Sequence, residues 1–452
     1  MRKIKRLVKQ IVAAHYIIGI AFSRILCQAS TQSLLALQCM KGKQKFFTIL
    51  ILGLLSAIGP FSIDMYLPGF PGIAKDLQTT IPRVGLSLSS FFIGICFGQF
   101  LYGPLLDRFG RKPPLYAGMI LYLIASIGCI FVKSIDALII IRLFQGLGGC
   151  AGMVAARALV RDIFPVSEIA KIFSLLMLVI AVSPIIAPTT GGFMAAHFGW
   201  QYIFVLLGVV AFLILIAIHF VLPAGRQADT TLSLRPRSTI NNFLMVAKLP
   251  QFMVYAFAGA IASAGLYAYI AGSPFVFMEI YKVSEQQYGL IFAIIAAGLI
   301  IASQVNSLML RRYSSEQIIR IALLLQAITG ITLCAGSIFN IWNVYEMVGL
   351  IFIFLSCQGF TFPNSSALSL APFAKNAGTA SALLGGIQMG IGTLSSAAVS
   401  LFNNKTPLSM TGVMALCACI AFSVLIIGRK YIQYNAGTGD VKEQTTEMIT
   451  NV

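Results

Sequence analysis

Two ionisable residues stand inside stretches otherwise apolar enough to cross a bilayer: Asp64, within GPFSIDMYLPGF, and Arg142, within ALIIIRLFQGLGG. Charge at mid-membrane depth costs at least about 2.5–3.5 kcal/mol, so each is a functional candidate. The chemistry open to such a pair is proton transfer. Either they neutralise each other or Asp64 takes a proton, because burial favours the neutral acid and a nearby cation favours the carboxylate. Motion or cargo that separates them would then load or release that proton; a fixed ion pair tying two helices together is the plainer alternative. Asp136, Glu279 and Glu346 fall at the ends of apolar runs and read as solvated or helix-anchoring. Other chemistry lacks its residues. There are three His, no H-E-x-x-H, G-x-S-x-G or G-x-x-x-x-G-K-[ST], and nine Cys whose spacing suits neither zinc nor a disulfide framework.

The elements that must position these residues follow from composition. Of 452 residues, 58% are hydrophobic and 10% charged, against roughly 45–50% and about 25% in a soluble globular protein. A mean hydropathy of +0.88 leaves too little polar surface for a water-soluble particle, and the chain reads as a polytopic membrane protein. A spanning helix needs about 20 apolar residues. Such runs are predicted at 46–66, 84–106, 114–132, 136–157, 172–193 and 200–222, then at 251–277, 288–310, 316–338, 343–366, 378–402 and 409–428. The polar, basic, Pro-containing break at 223–250 divides them six and six, as a six-helix N-terminal half (46–222), a linker and a six-helix C-terminal half (251–428). With residue 46 starting inside, twenty Lys and Arg beyond residue 40 face one side and five (Lys75, Arg83, Lys133, Lys282, Lys405) the other. The positive-inside rule then puts both termini in the cytoplasm, with the tail at 429–452. Residues 1–45 form a basic arm whose apolar stretch is too short to span. It reads either as an interfacial amphipathic helix or as sequence ahead of a translation start at Met40.

The break after the second run reads G-P-L-L-D-R-F-G-R-K, from Gly103 through Asp107, Arg108, Gly110 and Arg111 to Lys112. This spacing resembles the loop signature of the major facilitator superfamily, and further motifs agree. Arg142-Leu-Phe-Gln145-Gly146 is similar to the superfamily's R-x-x-Q-G element. Ala187-Pro188-Thr-Thr-Gly191-Gly192, with Pro184 one turn earlier, is similar to its antiporter motif. Ser62-Ile-Asp64-Met65-Tyr66-Leu-Pro68, Phe362-Pro363-Asn364 and Ala377-Gly-Thr-Ala-Ser381 resemble the bicyclomycin-resistance branch. The likeness runs from Lys43 to about Lys430. It implies an all-α membrane fold of twelve helices in two halves, and a monomeric proton-coupled antiporter. Such a protein exports small amphipathic antibiotics, bicyclomycin- or chloramphenicol-like, across the bacterial cytoplasmic membrane. The proton gradient supplies the energy, with no cofactor, metal, catalytic group or nucleic-acid partner.

The resemblance also implies roles. Asp64 is the expected proton carrier and Arg142 the residue that tunes it. Asp107 and Arg108 are expected to latch a cytoplasmic gate against the start of span eleven and the loop holding Arg161 and Asp162. Two departures matter: Ser56 stands where some related exporters carry a second acid, and the loop after span eight (Asn306 to Arg312) lacks the Gly and Asp of the signature. Span five, with Pro184, Pro188, Gly191 and Gly192, suits a kink and close helix approach without any family argument. A cavity lined by spans one, four, seven and ten offers Met65, Tyr66, Gln145, Tyr267, Tyr269, Gln358 and Asn364 as cargo contacts. Export of a polar metabolite, or uptake by symport, would use the same Asp64.

Overall fold

A computed structural model describes residues 42–437, apart from 224, 226, 227, 229–242, 374–376 and 403–405. The readings of the N-terminal arm, most of the linker and the tail beyond 437 lie outside the described residues. Twelve membrane-crossing helices follow one another: Gln44–Asp76, Ile81–Arg108, Lys112–Ile130, Ile135–Ile163, Lys171–His197, Gln201–Phe220, Pro250–Ile280, Glu285–Met309, Ser315–Ile338, Val344–Leu370, Gly378–Leu401 and Leu408–Ile432. They are called spans one to twelve below. Their outer faces carry Phe97, Phe131, Phe220 and Leu394, each more than half exposed, which is stable only against lipid.

Local chemistry sets the ends. Spans eight, nine and ten begin with capping boxes, Ser284 with Gln287, Ser314 with Gln317 and Asn343 with Glu346, each satisfying helix-terminal N–H groups. Glu346 therefore anchors a helix end. Asp136 meets Arg83 at 3.0 Å on an exposed surface. Two spans run well past their predicted limits. Span four continues to Ile163, so Arg161 and Asp162 lie in its last turn and not in a loop; Pro165 stops it. Span one continues to Asp76 through a break described below.

Glycines let the helices meet at backbone distance. A side chain at Gly146 would strike the carbonyl of Phe91 on span two, so the glycine of the R-x-x-Q-G element is what lets spans two and four cross. The two halves meet along two seams. On one, Ser89 of span two hydrogen-bonds Ser396 of span eleven at 2.8 Å. On the other, Gly192 of span five lies against the carbonyl of Glu285 on span eight. The first seam continues to Phe100 against Gly386, but a Cβ at Gly103 or Gly378 would meet nothing within 4 Å. Among the described residues the halves are thus closed at the end nearer Asp64, and the first seam leaves space beside Gly103 and Gly378 toward the loop 108–112.

Candidate functional site at the break in span one

Span one opens with a helix from Gly42 to Asp64, turns, makes one 3₁₀ turn at Leu67–Gly69 and resumes from Phe70 to Asp76. The cause is Pro68. It has no N–H to give the Asp64 carbonyl four residues back, and in a continuing helix its ring would collide with that carbonyl. The chain tightens instead: Tyr66 N–H, the donor a continuing helix would give to Ser62, turns to the Ile63 carbonyl at 3.2 Å. The Ser62 carbonyl is taken by Arg142, whose Nη2 donates to it at 3.1 Å.

Arg142 is wholly buried. Its Nη1 donates to Gln145 Oε1 at 2.6 Å, and Gln145 Nε2 donates in turn to Ser126 Oγ at 2.8 Å. The guanidinium lies 4.2 Å from the Phe91 ring centre and 4.5 Å from that of Tyr66. The Tyr66 hydroxyl shares a 2.7 Å hydrogen bond with Ser87. Carbonyl oxygens and ring faces therefore compensate this cation, where the sequence suggested a carboxylate. Asp64 is 5% exposed, and among the described residues no ion pair joins it to Arg142. Of the two alternatives read from the sequence, mutual neutralisation is not found here.

The segment that follows Asp64 meets the other half of the molecule: the 3₁₀ turn at Leu67–Gly69 packs against spans seven and eight. The antiporter motif packs beside it. A side chain at Gly191 would strike the Met65 carbonyl. Pro184 and Pro188 lie inside the helix Val166–His197 without ending it, and the Pro188 carbonyl faces Gly289 of span eight. The motif thus joins the acid's segment to the opposite half.

At the far end, Gly110 takes φ +81°, a left-handed turn that a side chain makes costly. Arg111, 8% exposed, is the clasp: Nε donates to Asp162 Oδ2 at 2.6 Å and Nη1 to Asp107 Oδ1 at 2.6 Å. Burial pushes its guanidinium down, and the hydrogen bonds and charges of Asp162 and Asp107 more than reverse this, holding it above its ordinary value. Arg111 ties the ends of spans two and four to the start of span three, which begins at Lys112. Arg108 lies over the Phe109 ring at 5.8 Å. In this conformation the clasp is made within the N-terminal half, and the segment just before span eleven (374–376) is outside the described residues.

The predicted cargo residues do not share one wall. Tyr66 and Gln145 are packed inside the N-terminal half around Arg142. Met65 is buried against span five. Tyr267 and Tyr269 lie two positions apart, about 200° around a helix, and separate accordingly. Tyr267 meets Phe92 and the Met389 sulfur, whereas Tyr269 stacks on Phe292. Gln358 donates to Ser263, and Asn364 donates to Asn306 at 2.6 Å, both buried. Sequence reasoning missed Arg157, which is exposed yet lies within span four. Its helical position falls between the faces that meet span one at Gly59 and span two at Gly98; counting helix turns from Arg142 would have found it.

A model of the Major Facilitator Superfamily matches residues 52–397. The chain belongs to that superfamily. Within it the chain falls in the bicyclomycin-resistance branch. It is 32% identical over 383 residues to a bicyclomycin resistance protein homolog of Haemophilus influenzae, an alignment covering 85% of this chain and 96% of the relative. It is also 29% identical over 328 residues to the multidrug resistance protein MdtL of Escherichia coli, covering 72% and 81%. In fold it resembles the crystal structure of a D-xylose–proton symporter, with a TM-score of 0.67 at 15% identity over 83% of this chain and 97% of that one. This superfamily member is a multi-pass membrane transporter and not an enzyme.

Proposed function

We propose that this transporter exports small amphipathic drugs from the bacterial cytoplasm in exchange for protons, with Asp64 as the proton carrier and both termini inside. The observation that carries the reading is a carboxyl group buried at a helix break, without a cation beside it, where the two halves meet. A carboxyl enclosed in a low-dielectric medium carries a proton, and sheds it when water or a cation reaches it. Rocking of the halves exposes such a group to each side in turn. Arg142 holds the break in shape through the Ser62 carbonyl, and so positions the acid without neutralising it. The names of the relatives support drugs as cargo. The excess of basic residues at the end bearing the loop 108–112 supports its assignment to the cytoplasm. One proton entering yields about 2.3 kcal/mol per 100 mV, which sustains a concentration ratio of roughly 50-fold.

The test is drug retention and growth inhibition across an antibiotic panel, in cells expressing wild type or Asp64→Asn, with and without a protonophore. Protection by wild type alone, lost when the gradient collapses, is the expected result. Equal protection by both proteins removes Asp64 from the mechanism. Lowered intracellular amino acid with unchanged drug retention points to a polar metabolite as cargo.

A further inference from the structure

One charge in the membrane-crossing part of the molecule has no task so far. Arg157 stands before the end of span four at Ile163, roughly 9 Å along the axis, and is exposed. It does not face lipid: the lipid side of span four carries Ile140 and Phe144, about 100–140° around the helix from it. It lies between Met153, packed at Gly59 of span one, and Cys150, packed at Gly98 of span two. The helix Gly42–Asp64 and span two each pack on span four but hardly on each other, so a gap runs between them over this face. Gly94 and Gly98 of span two lie against Leu143, Leu147 and Cys150 of span four in the same chain direction. Arg157 therefore stands level with the turn after Gly103, where the first seam leaves space, and its side chain leans back toward that level.

The charges around this space are unbalanced. Among the described residues at the end bearing the loop 108–112, every carboxylate is already in an ion pair: Asp107 and Asp162 with Arg111, Glu168 with Lys45, and Glu316 with Arg429. None of them pairs with Arg157, nor with the exposed Arg161 one turn further on. A guanidinium at this depth without a counter-ion is costly, and its planar fork of donors suits a carboxylate. Met153, half-buried one turn earlier, sets a soft apolar surface beside it. We propose that Arg157 is a specificity-determining residue that binds the acidic group of the cargo, so that the transporter takes amphipaths bearing a carboxylate in preference to neutral ones of the same shape. The inference rests on the reading of the chain as a drug exporter and adds the charge class of the cargo to it. Cationic amphipaths are repelled at the same place by both arginines.

The experiment uses the full chain in an uncharged detergent at neutral pH. Binding of labelled nalidixic acid, a planar amphipath with one carboxylate, is compared by equilibrium dialysis with binding of its ethyl ester, and the ratio of the two affinities cancels any general loss of fold. Wild type should favour the acid by about tenfold, the factor that corresponds to roughly 1.4 kcal/mol. Arg157→Gln should bring the ratio to about one, and Arg157→Lys should keep most of the preference. A wild-type ratio near one, or the same preference in Arg157→Gln as in wild type, would overturn the proposal. So would loss of the preference when phosphatidylglycerol replaces phosphatidylcholine in the mixed micelle, which would assign Arg157 to a lipid headgroup. The two readings fail separately. Proton-driven export of chloramphenicol by a protein without the acid preference would sink the anion site and leave the exporter. An acid preference lost in Arg157→Gln, in a protein that exports neither compound against a gradient, would uphold the anion site and sink the exporter.

Discussion

Replacing Arg142 with lysine preserves the charge and removes the fork, which makes it the sharpest probe of how the break in span one is held. The guanidinium makes two charge-assisted hydrogen bonds, to Gln145 Oε1 and to the Ser62 carbonyl, and lies against two ring faces. Each such bond is worth about 1.5–3 kcal/mol and each ring contact about 0.5–2 kcal/mol. An ammonium is a single compact point and keeps one bond and one ring at most. The loss is therefore about 2–5 kcal/mol, and about 3 kcal/mol corresponds to roughly 100-fold in the opening equilibrium of the break. Hydrogen exchange of the peptide spanning Ile58 to Phe70 reads this directly through the amides of Met65 and Tyr66, which close the last turns. Arg142→Lys should accelerate their exchange by on the order of 100-fold, with peptides of span nine unchanged. Exchange within about twofold of wild type at those amides would refute the claim that the fork holds the break.

Three further outcomes follow from packing and charge. Gly191→Ala should lower thermal stability in detergent by about 1–3 kcal/mol because its Cβ meets the Met65 carbonyl; Gly103→Ala, with nothing within 4 Å, should not, and equal Tm shifts would contradict the packing. Arg111→Ala removes a buried clasp from Asp162 and should cost about 3–5 kcal/mol, seen as a lowered Tm and faster proteolysis of the loop 108–112; a change no larger than that of Arg108→Ala would assign the clasp wrongly. Lys45→Ala breaks a 2.7 Å pair with Glu168 whose partners are 36% and 37% exposed, so its cost should stay within about 1 kcal/mol, and a Tm shift as large as that of Arg111→Ala would show this pair to be structural.

Most of the architecture was legible in the residues because the bilayer leaves little choice: only long apolar helices satisfy their own backbone there, and all twelve spans begin within about three residues of where hydropathy puts them. The break in span one was only half legible: Pro60, which reads as the helix breaker ahead of Asp64, lies inside the helix Gly42–Asp64 without ending it, and the turn comes instead at Pro68; the continuation beyond it was not legible. LPGFPG carries two Pro and two Gly and reads as a loop; it is held as helix by tertiary contact, with Trp200 packed on Gly69 and Gly72 and its indole N–H donating to Asp76 at 2.8 Å. The partners of Arg142 were hidden for a related reason. A buried cation suggests a carboxylate, whereas the fold supplies an amide, a carbonyl freed by the break, and rings from spans one and two. The clasp at Arg111 was half visible: the loop spacing singled out the right segment, but only the extension of span four to Ile163 places Asp162 in reach. Tyr267 and Tyr269 were separable by helical angle alone, yet nothing in their order says which of the two meets Phe92 and which Phe292.

The central claim, that proton movement through Asp64 drives export, is tested most directly with purified protein in proteoliposomes, measuring labelled chloramphenicol and internal pH together under an imposed proton gradient. Wild type should accumulate drug against its gradient while protons move the other way, and Asp64→Asn should carry drug only down its gradient, with no accompanying proton flux. Uphill accumulation by Asp64→Asn at the wild-type rate, with protons still exchanged, would contradict it.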